Sequence, residues 1–159
     1  MQTIDQLLLN LGQTAGLPQP LRFDAHGCAR LVFDGALAID FERDSDAGVL
    51  HVYSVLGDVP AEGREALYAQ LLEANLFGAG TQGCTLAVDR DAHEVVLCRS
   101  VAAQGLSDAL LVQHVEQVVA AVEVWKPRLA AFAAPVVQRH ADVALGGAQA
   151  LPVHGMLRG

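Results

Sequence analysis

The sequence predicts an α+β domain, a mainly antiparallel twisted sheet with helices packed on it in the order α-βββ(β)-α-ββ-α. Three observations carry this expectation. Apolar residues recur at helical spacing near the N-terminus, in the middle of the chain and over a long stretch after Ser107; between these stretches the period drops to two; and the period-two runs are joined by short turns bearing Asp and Gly. Such turns connect antiparallel neighbours, because parallel strands need a longer crossover.

In the first helix, Thr3 to Ala15, the residues Ile4, Leu7, Leu8, Leu11 and Ala15 line one face, and Gly16, Pro18 and Pro20 end it. Leu9 lies off that stripe. A meander follows from Leu21 to Leu56. Leu21 and Phe23 alternate with Arg22 and Asp24; Leu31 and Phe33 flank Val32; Leu37, Ile39 and Phe41 alternate with Ala38 and Asp40; Leu50 and Val52 alternate with His51 and Tyr53. His26-Gly27, Asp34-Gly35 and residues 44–48 supply its turns. Asp40, Glu42 and Asp44 are expected on the solvated face of their strand.

Pro60 is expected to open the second helix, with Glu62 and Glu65 in the early turns where negative charge suits the helix dipole. Its apolar stripe is Leu67, Leu71, Leu72 and Leu76, and it ends in the glycine-bearing segment 75–80. Two more strands follow, one through Cys84, Leu86 and Val88 and one from Val95 to Val101, separated by the charged turn Asp89-Arg90-Asp91. Ser107 caps the last helix, whose stripe is Leu111, Val115, Val118, Val122, Trp125 and Leu129. Pro127 is expected to kink or end it. Residues 134–159 show no clear period and read as a flexible or partly ordered tail beyond a domain spanning residues 1–133.

The composition narrows the function. The chain has 159 residues, 52% apolar and 18% charged, which suits one domain with a single core. A formal net charge of −8 leaves no basic footprint for nucleic acid. The longest nearly uncharged apolar stretch, Val118 to Trp125, is far shorter than a membrane span, and residues 1–10 lack the basic start of a secretory signal. A cytosolic protein is expected. Its three cysteines, Cys28, Cys84 and Cys98, are odd in number and widely spaced, so they read as small buried apolar residues rather than a disulfide frame or metal site.

Chemical motifs are sparse. Gly78-Ala79-Gly80-Thr81-Gln82-Gly83 matches the spacing of a dinucleotide-binding loop, but a helix precedes it and a strand follows, the reverse of what pyrophosphate binding needs; it reads as a helix stop and loop. His26, His51, His93, His114, His140 and His154 are dispersed without metal-ligand spacing, and no nucleophile elbow is present. No catalytic, metal or cofactor site is expected, and an enzyme is disfavoured. A small-ligand protein or enzyme using His51, Cys98 or the Asp40/Glu42 strand stands as the alternative. The surplus of apolar residues points instead to a protein partner.

Several segments resemble one family. They are Leu8-Leu9-Asn10-Leu11-Gly12, Gly16-Leu17-Pro18, Leu21-Arg22-Phe23-Asp24 with Gly27-Cys28, Leu56-Gly57-Asp58-Val59-Pro60, Leu71-Leu72-Glu73-Ala74-Asn75-Leu76-Phe77-Gly78, Thr81-Gln82-Gly83 and Trp125. Together they are similar to the class I chaperones of type III secretion, the Tir-chaperone or CesT-like family. The Leu-Leu-x-Ala-Asn-Leu-Phe run is the most specific signal, and the resemblance extends from about residue 4 to residue 130. It implies a homodimer in the bacterial cytoplasm that binds the N-terminal segment of one or more secreted effectors in extended form. The segment would be kept soluble and export-competent without ATP. The resemblance further implies effector contact at Leu7, Leu9, Leu11, Phe23, Leu31 and Phe33, and a place in the dimer interface or core for Leu67, Leu71, Leu76 and Phe77. An extended segment can add to an exposed sheet edge through backbone hydrogen bonds while grooves take its apolar side chains.

Overall fold

The computed structural model describes residues 3–133. The tail expected at 134–159 lies outside the described residues. The elements are α1 (Ile4–Thr14), β1 (Cys28–Phe33), β2 (Leu37–Asp44), β3 (Val49–Asp58), α2 (Arg64–Asn75), a 3-10 turn at Leu76–Gly78, β4 (Thr85–Asp89), β5 (Glu94–Ala102) and α3 (Asp108–Ala133). All strand pairs are antiparallel, and the sheet order is β1-β2-β3-β5-β4. The α+β class and element order expected from the sequence are therefore the observed ones.

Strand alternation makes the core. Ile39 and Phe41 of β2, Leu50 and Val52 of β3 and Val95 and Leu97 of β5 are completely buried. Leu7 and Leu8 of α1 and Leu111, Val118 and Val122 of α3 are buried with them in one cluster. The long α3 lies against β3 and β5, and α1 packs beside α3. Each of these side chains contributes about 1.5–3 kcal/mol through removal from water, so this single layer of helix on sheet dominates stability. The α1 N-terminus is capped by Thr3, whose Oγ1 accepts from the Gln6 N–H at 3.2 Å. After α1 the chain turns back across Gly12, where a Cβ would meet the Leu21 Cβ at 2.8 Å. That close approach brings Leu21 into the core, 6% exposed.

Five local expectations are corrected. The segment from Leu21 to Asp24 is not a strand. The Asp24 carboxylate accepts from the N–H groups of His26 (2.8 Å) and Cys28 (2.9 Å), while its own N–H donates to the Cys28 carbonyl; this local turn takes the backbone groups that a ladder would need. The second helix starts at Arg64, not at Pro60, because Gly63 takes the left-handed conformation (φ 71°) just before it, and Glu62 consequently precedes the helix. Leu72 and Leu76 leave the expected core stripe, since α2 buries only the narrow Leu67/Leu71 line. Pro127 does not end α3, for the helix runs on to Ala133. Its missing N–H falls on the exposed side of α3, where water can serve the freed carbonyl. Finally, Asp40 is 7% exposed rather than solvated. Arg30, its cross-strand partner, grips both carboxylate oxygens at 2.6 and 3.0 Å and thereby neutralises the buried charge. Of the free cysteines, Cys84 is buried while Cys28 and Cys98 are half-buried.

Candidate protein-docking surfaces

The first surface lies along α2, the 3-10 turn and β4. Tyr68 (36% exposed), Leu72 (71%), Leu76 (60%), Phe77 (97%) and Val88 (39%) leave apolar atoms in water there. Between α2 and β4, Tyr68, Leu72 and Val88 border a groove of about 670 Å³ whose walls also include Val59, Leu71 and Leu86. Phe77 is held at φ 54°, ψ 18°, a left-handed conformation that costs a non-glycine residue about 1–3 kcal/mol. The ring in this conformation is turned out into solvent. Apolar exposure of this extent beside a groove is the mark of an interaction surface.

A second surface lies at the other edge of the sheet. Asp5, Leu9, Arg22 and Phe23 surround a shallow cleft of about 110 Å³. Arg43 stacks over the Phe23 ring at 5.1 Å and pairs with Asp5 at 2.9 Å, fixing the ring against α1. The chain passes from Phe23 through Asp24, which bonds Cys28 at the start of β1, the terminal strand; Val32, towards the other end of that strand, is 47% exposed.

The open face of the sheet carries polar groups between these edges. His51 Nδ1 and Ser100 Oγ are 2.9 Å apart, and burial together with the carboxylates of Asp40 and Glu42 pushes the Tyr53 hydroxyl above its usual pKa. At the opposite side of the core, His114 Nδ1 and Gln117 Oε1 are buried without hydrogen-bond partners. Burial first, and the neighbouring Arg99 charge second, hold the His114 imidazole below its ordinary pKa.

The structure separates the residues singled out from the sequence. Leu7 (1% exposed), Leu11 (6%) and Leu31 (1%), expected at the effector contact, lie in the core with little side-chain surface exposed. Leu9, Phe23 and Phe33 are half-buried and retain surface, with Leu9 and Phe23 sharing the cleft. Leu67 (1%) and Leu71 (4%) belong to the core, whereas Leu76 and Phe77 are outside. Tyr68 and Val88 were not singled out. Leu71 and Leu72 lie about 100° apart on the helix, and the narrow contact of α2 through Leu67 and Leu71 leaves Leu72 outside.

The glycine-rich loop is the helix stop it reads as. Gly80 N–H donates to the Ala74 carbonyl, Gly83 N–H donates to the Gly78 carbonyl, and Trp125 Nε1 ties the loop to α3 through the Gly80 carbonyl at 2.9 Å. No helix among the described residues is long and apolar enough to cross a membrane.

An antiparallel sheet backed by two helices, with a third helix laid along one edge, recurs in solved structures that include type III secretion chaperones. A chain of the ExsC–ExsE complex superposes with a TM-score of 0.67 at 21% identity, covering 79% of this chain and 92% of that one. A chain of the HopA1–SchA chaperone–effector complex gives 0.60 at 23% identity, covering 77% and 89%. A chain of the ExoU–SpcU complex from Pseudomonas aeruginosa gives 0.57 at 22%, covering 80% and 95%. At these identities the likeness is one of fold. A Chlamydia pneumoniae protein designated CPj0713/CpB0740 is 25% identical over 122 residues, 77% of this chain and 92% of that protein. The Tir chaperone protein (CesT) family matches residues 6–126, and the chain belongs to that family.

Proposed function

We propose that the protein is a homodimeric chaperone of the bacterial cytoplasm that binds the N-terminal segment of a secreted effector in extended form and keeps it soluble and export-competent without ATP. The observation that carries this reading is apolar surface left outside the core in two separate places, at Leu72, Leu76 and Phe77 and at Leu9 and Phe23. The family membership and the chaperone–effector complexes among structures of the same fold support it.

The two surfaces suit different tasks. The α2 surface carries both an exposed ring at Phe77 and a groove, features that a two-fold contact between copies can set against each other. Two α2 helices, each about 18 Å long, crossing antiparallel near Leu72 would bring Leu76 of one protomer opposite Tyr68 of the other. Phe77 would then approach the partner's groove. The Leu9/Phe23 cleft instead borders the terminal strand β1, where backbone groups are available to an extended segment and the cleft accepts one of its apolar side chains. Phe33, half-buried, stands at the far end of β1.

The test is co-expression with the N-terminal segment of a candidate effector encoded beside this chain. A complex of two chaperone chains with one bound segment is expected on size exclusion with light scattering. Elution as a monomer that retains no such segment would sink the proposal.

A further inference from the structure

Both ends of a five-stranded sheet present rows of unpaired N–H and C=O groups, and each row is a template for another strand. The two ends of this sheet are not equivalent. On β4, Leu86 turns its backbone groups away from β5, and the side-chain amide of Asn75 meets both: Leu86 N–H donates to Asn75 Oδ1 at 2.8 Å and Asn75 Nδ2 donates to the Leu86 carbonyl at 2.9 Å. Two residues earlier, Cys84 is closed in the same manner by Thr81. The Cys84 N–H donates to the Thr81 carbonyl at 3.0 Å, and the Thr81 hydroxyl donates to the Cys84 carbonyl at 2.5 Å. Thr81 is completely buried. Only Val88 keeps outward backbone groups without a partner among the described residues.

The glycine-rich loop makes this possible. A Cβ on Gly78 would lie 2.8 Å from the Gly83 Cα, and one on Gly80 would lie 2.9 Å from the Ala74 Cα. The Gly-x-Gly-x-x-Gly spacing therefore serves a tight fold that carries Thr81 onto the start of β4 directly after Asn75.

The β1 edge differs. Cys28 is closed by Asp24, which accepts from its N–H and donates to its carbonyl. By alternation Arg30 and Val32 also turn their N–H and C=O away from β2, and these have no partner among the described residues. Two successive open residues offer an incoming strand up to four backbone hydrogen bonds.

We infer that Asn75 and Thr81 are edge guards: they close β4 so that strand addition is confined to β1. They thereby decide which edge an extended polypeptide joins, and they stop β1 of one copy from adding to β4 of the next. That head-to-tail contact does not close on itself and would propagate as a filament. The extended nature of the incoming segment is taken from the reading above; the guarding itself is tested without any effector.

The test uses the full chain carrying Asn75→Ala, followed by amide hydrogen exchange and sedimentation velocity. The Leu86 amide should exchange roughly tenfold faster than in wild type while Val95 and Leu97 remain slow, showing an intact fold. Species larger than those of wild type should grow with concentration, and adding Val32→Lys, a charge on the β1 edge, should remove them. Unchanged Leu86 exchange overturns the inference. So does faster exchange with wild-type sedimentation at every concentration, or assembly that persists with Val32→Lys. If Val95 and Leu97 lose their slow exchange, Asn75→Asp, which keeps the acceptor for the Leu86 N–H and removes the donor to its carbonyl, is read by sedimentation alone: larger species that grow with concentration and that Val32→Lys removes support the inference, and wild-type sedimentation overturns it. A protein that guards its edge yet captures no effector refutes the proposed function and leaves this inference standing.

Discussion

His114 lies on α3 with Nδ1 buried and unpartnered, and its pKa is lowered by burial and by Arg99. The folded state therefore favours the neutral ring. As pH falls through the unfolded-state value near 6.5, the unfolded chain takes up a proton that the native state resists, so stability should fall below about pH 6.5 and level off once pH passes the lower folded value. His114→Gln should flatten that part of the profile; urea midpoints measured between about pH 5 and pH 7.5 would show it. At Leu9 the expectation concerns binding. Leu9 lies in the Phe23 cleft and outside the fully buried set, so Leu9→Asp should lower effector capture roughly tenfold or more while moving the thermal midpoint by only a few degrees. Unfolding of this variant would return Leu9 to the core. Phe41, completely buried in β2, is the contrast: Phe41→Ala should cost about 3–5 kcal/mol in chemical denaturation.

Helix α2 leaves most of its apolar side chains outside the core. It has only Leu67 and Leu71 to hold it to the sheet, while Tyr68, Leu72 and Leu76 turn outward. The Asn75 amide adds two hydrogen bonds to Leu86 to that hold. Phe77→Asp should consequently halve the mass seen by light scattering and leave the thermal midpoint of the subunit almost unchanged, since a side chain 97% exposed contributes nothing to the core. A large loss of stability instead would place Phe77 inside the fold's own packing. Periodicity located this helix but misjudged its start and its faces. Gly63 supplies the left-handed entry that Pro60 was expected to make unnecessary, and the stripe drawn through Leu72 assumed a wider contact than α2 has with β4. Leu21 to Asp24 failed as a strand for a related reason: alternation was real, with Leu21 buried and Phe23 half-buried, but Asp24 diverted the backbone hydrogen bonds into a turn.

In the whole molecule, α1 and α3 back the sheet while α2 leans on its β4 side, so the two edges acquire different chemistry: one is closed by side-chain amide and hydroxyl groups, the other is open beside a cleft. An asymmetric sheet of this kind can take an extended segment on one side and a second copy on the other without the two competing. Removing the effector should therefore leave the dimer intact, and dissociating the dimer with Phe77→Asp should leave binding at the Leu9 cleft measurable. Titrating labelled effector segment into both forms checks the independence, which fails if capture vanishes with the dimer.

Element order, the antiparallel character of the sheet and most of the core were legible from period alone, because burial of one face imposes its spacing on any helix or strand that makes a core. The Leu-Leu-x-Ala-Asn-Leu-Phe run also pointed to the family. Which leucines face outward was not legible: Leu7, Leu11 and Leu31 look no different in sequence from Leu9 and Leu72, and only the neighbours that cover them decide. The roles of Asn75 and Thr81 were hidden for the same reason, since each acts on a strand that folding brings to it. Local spacing encodes which groups avoid water; the backbone they finally satisfy is determined when distant segments meet.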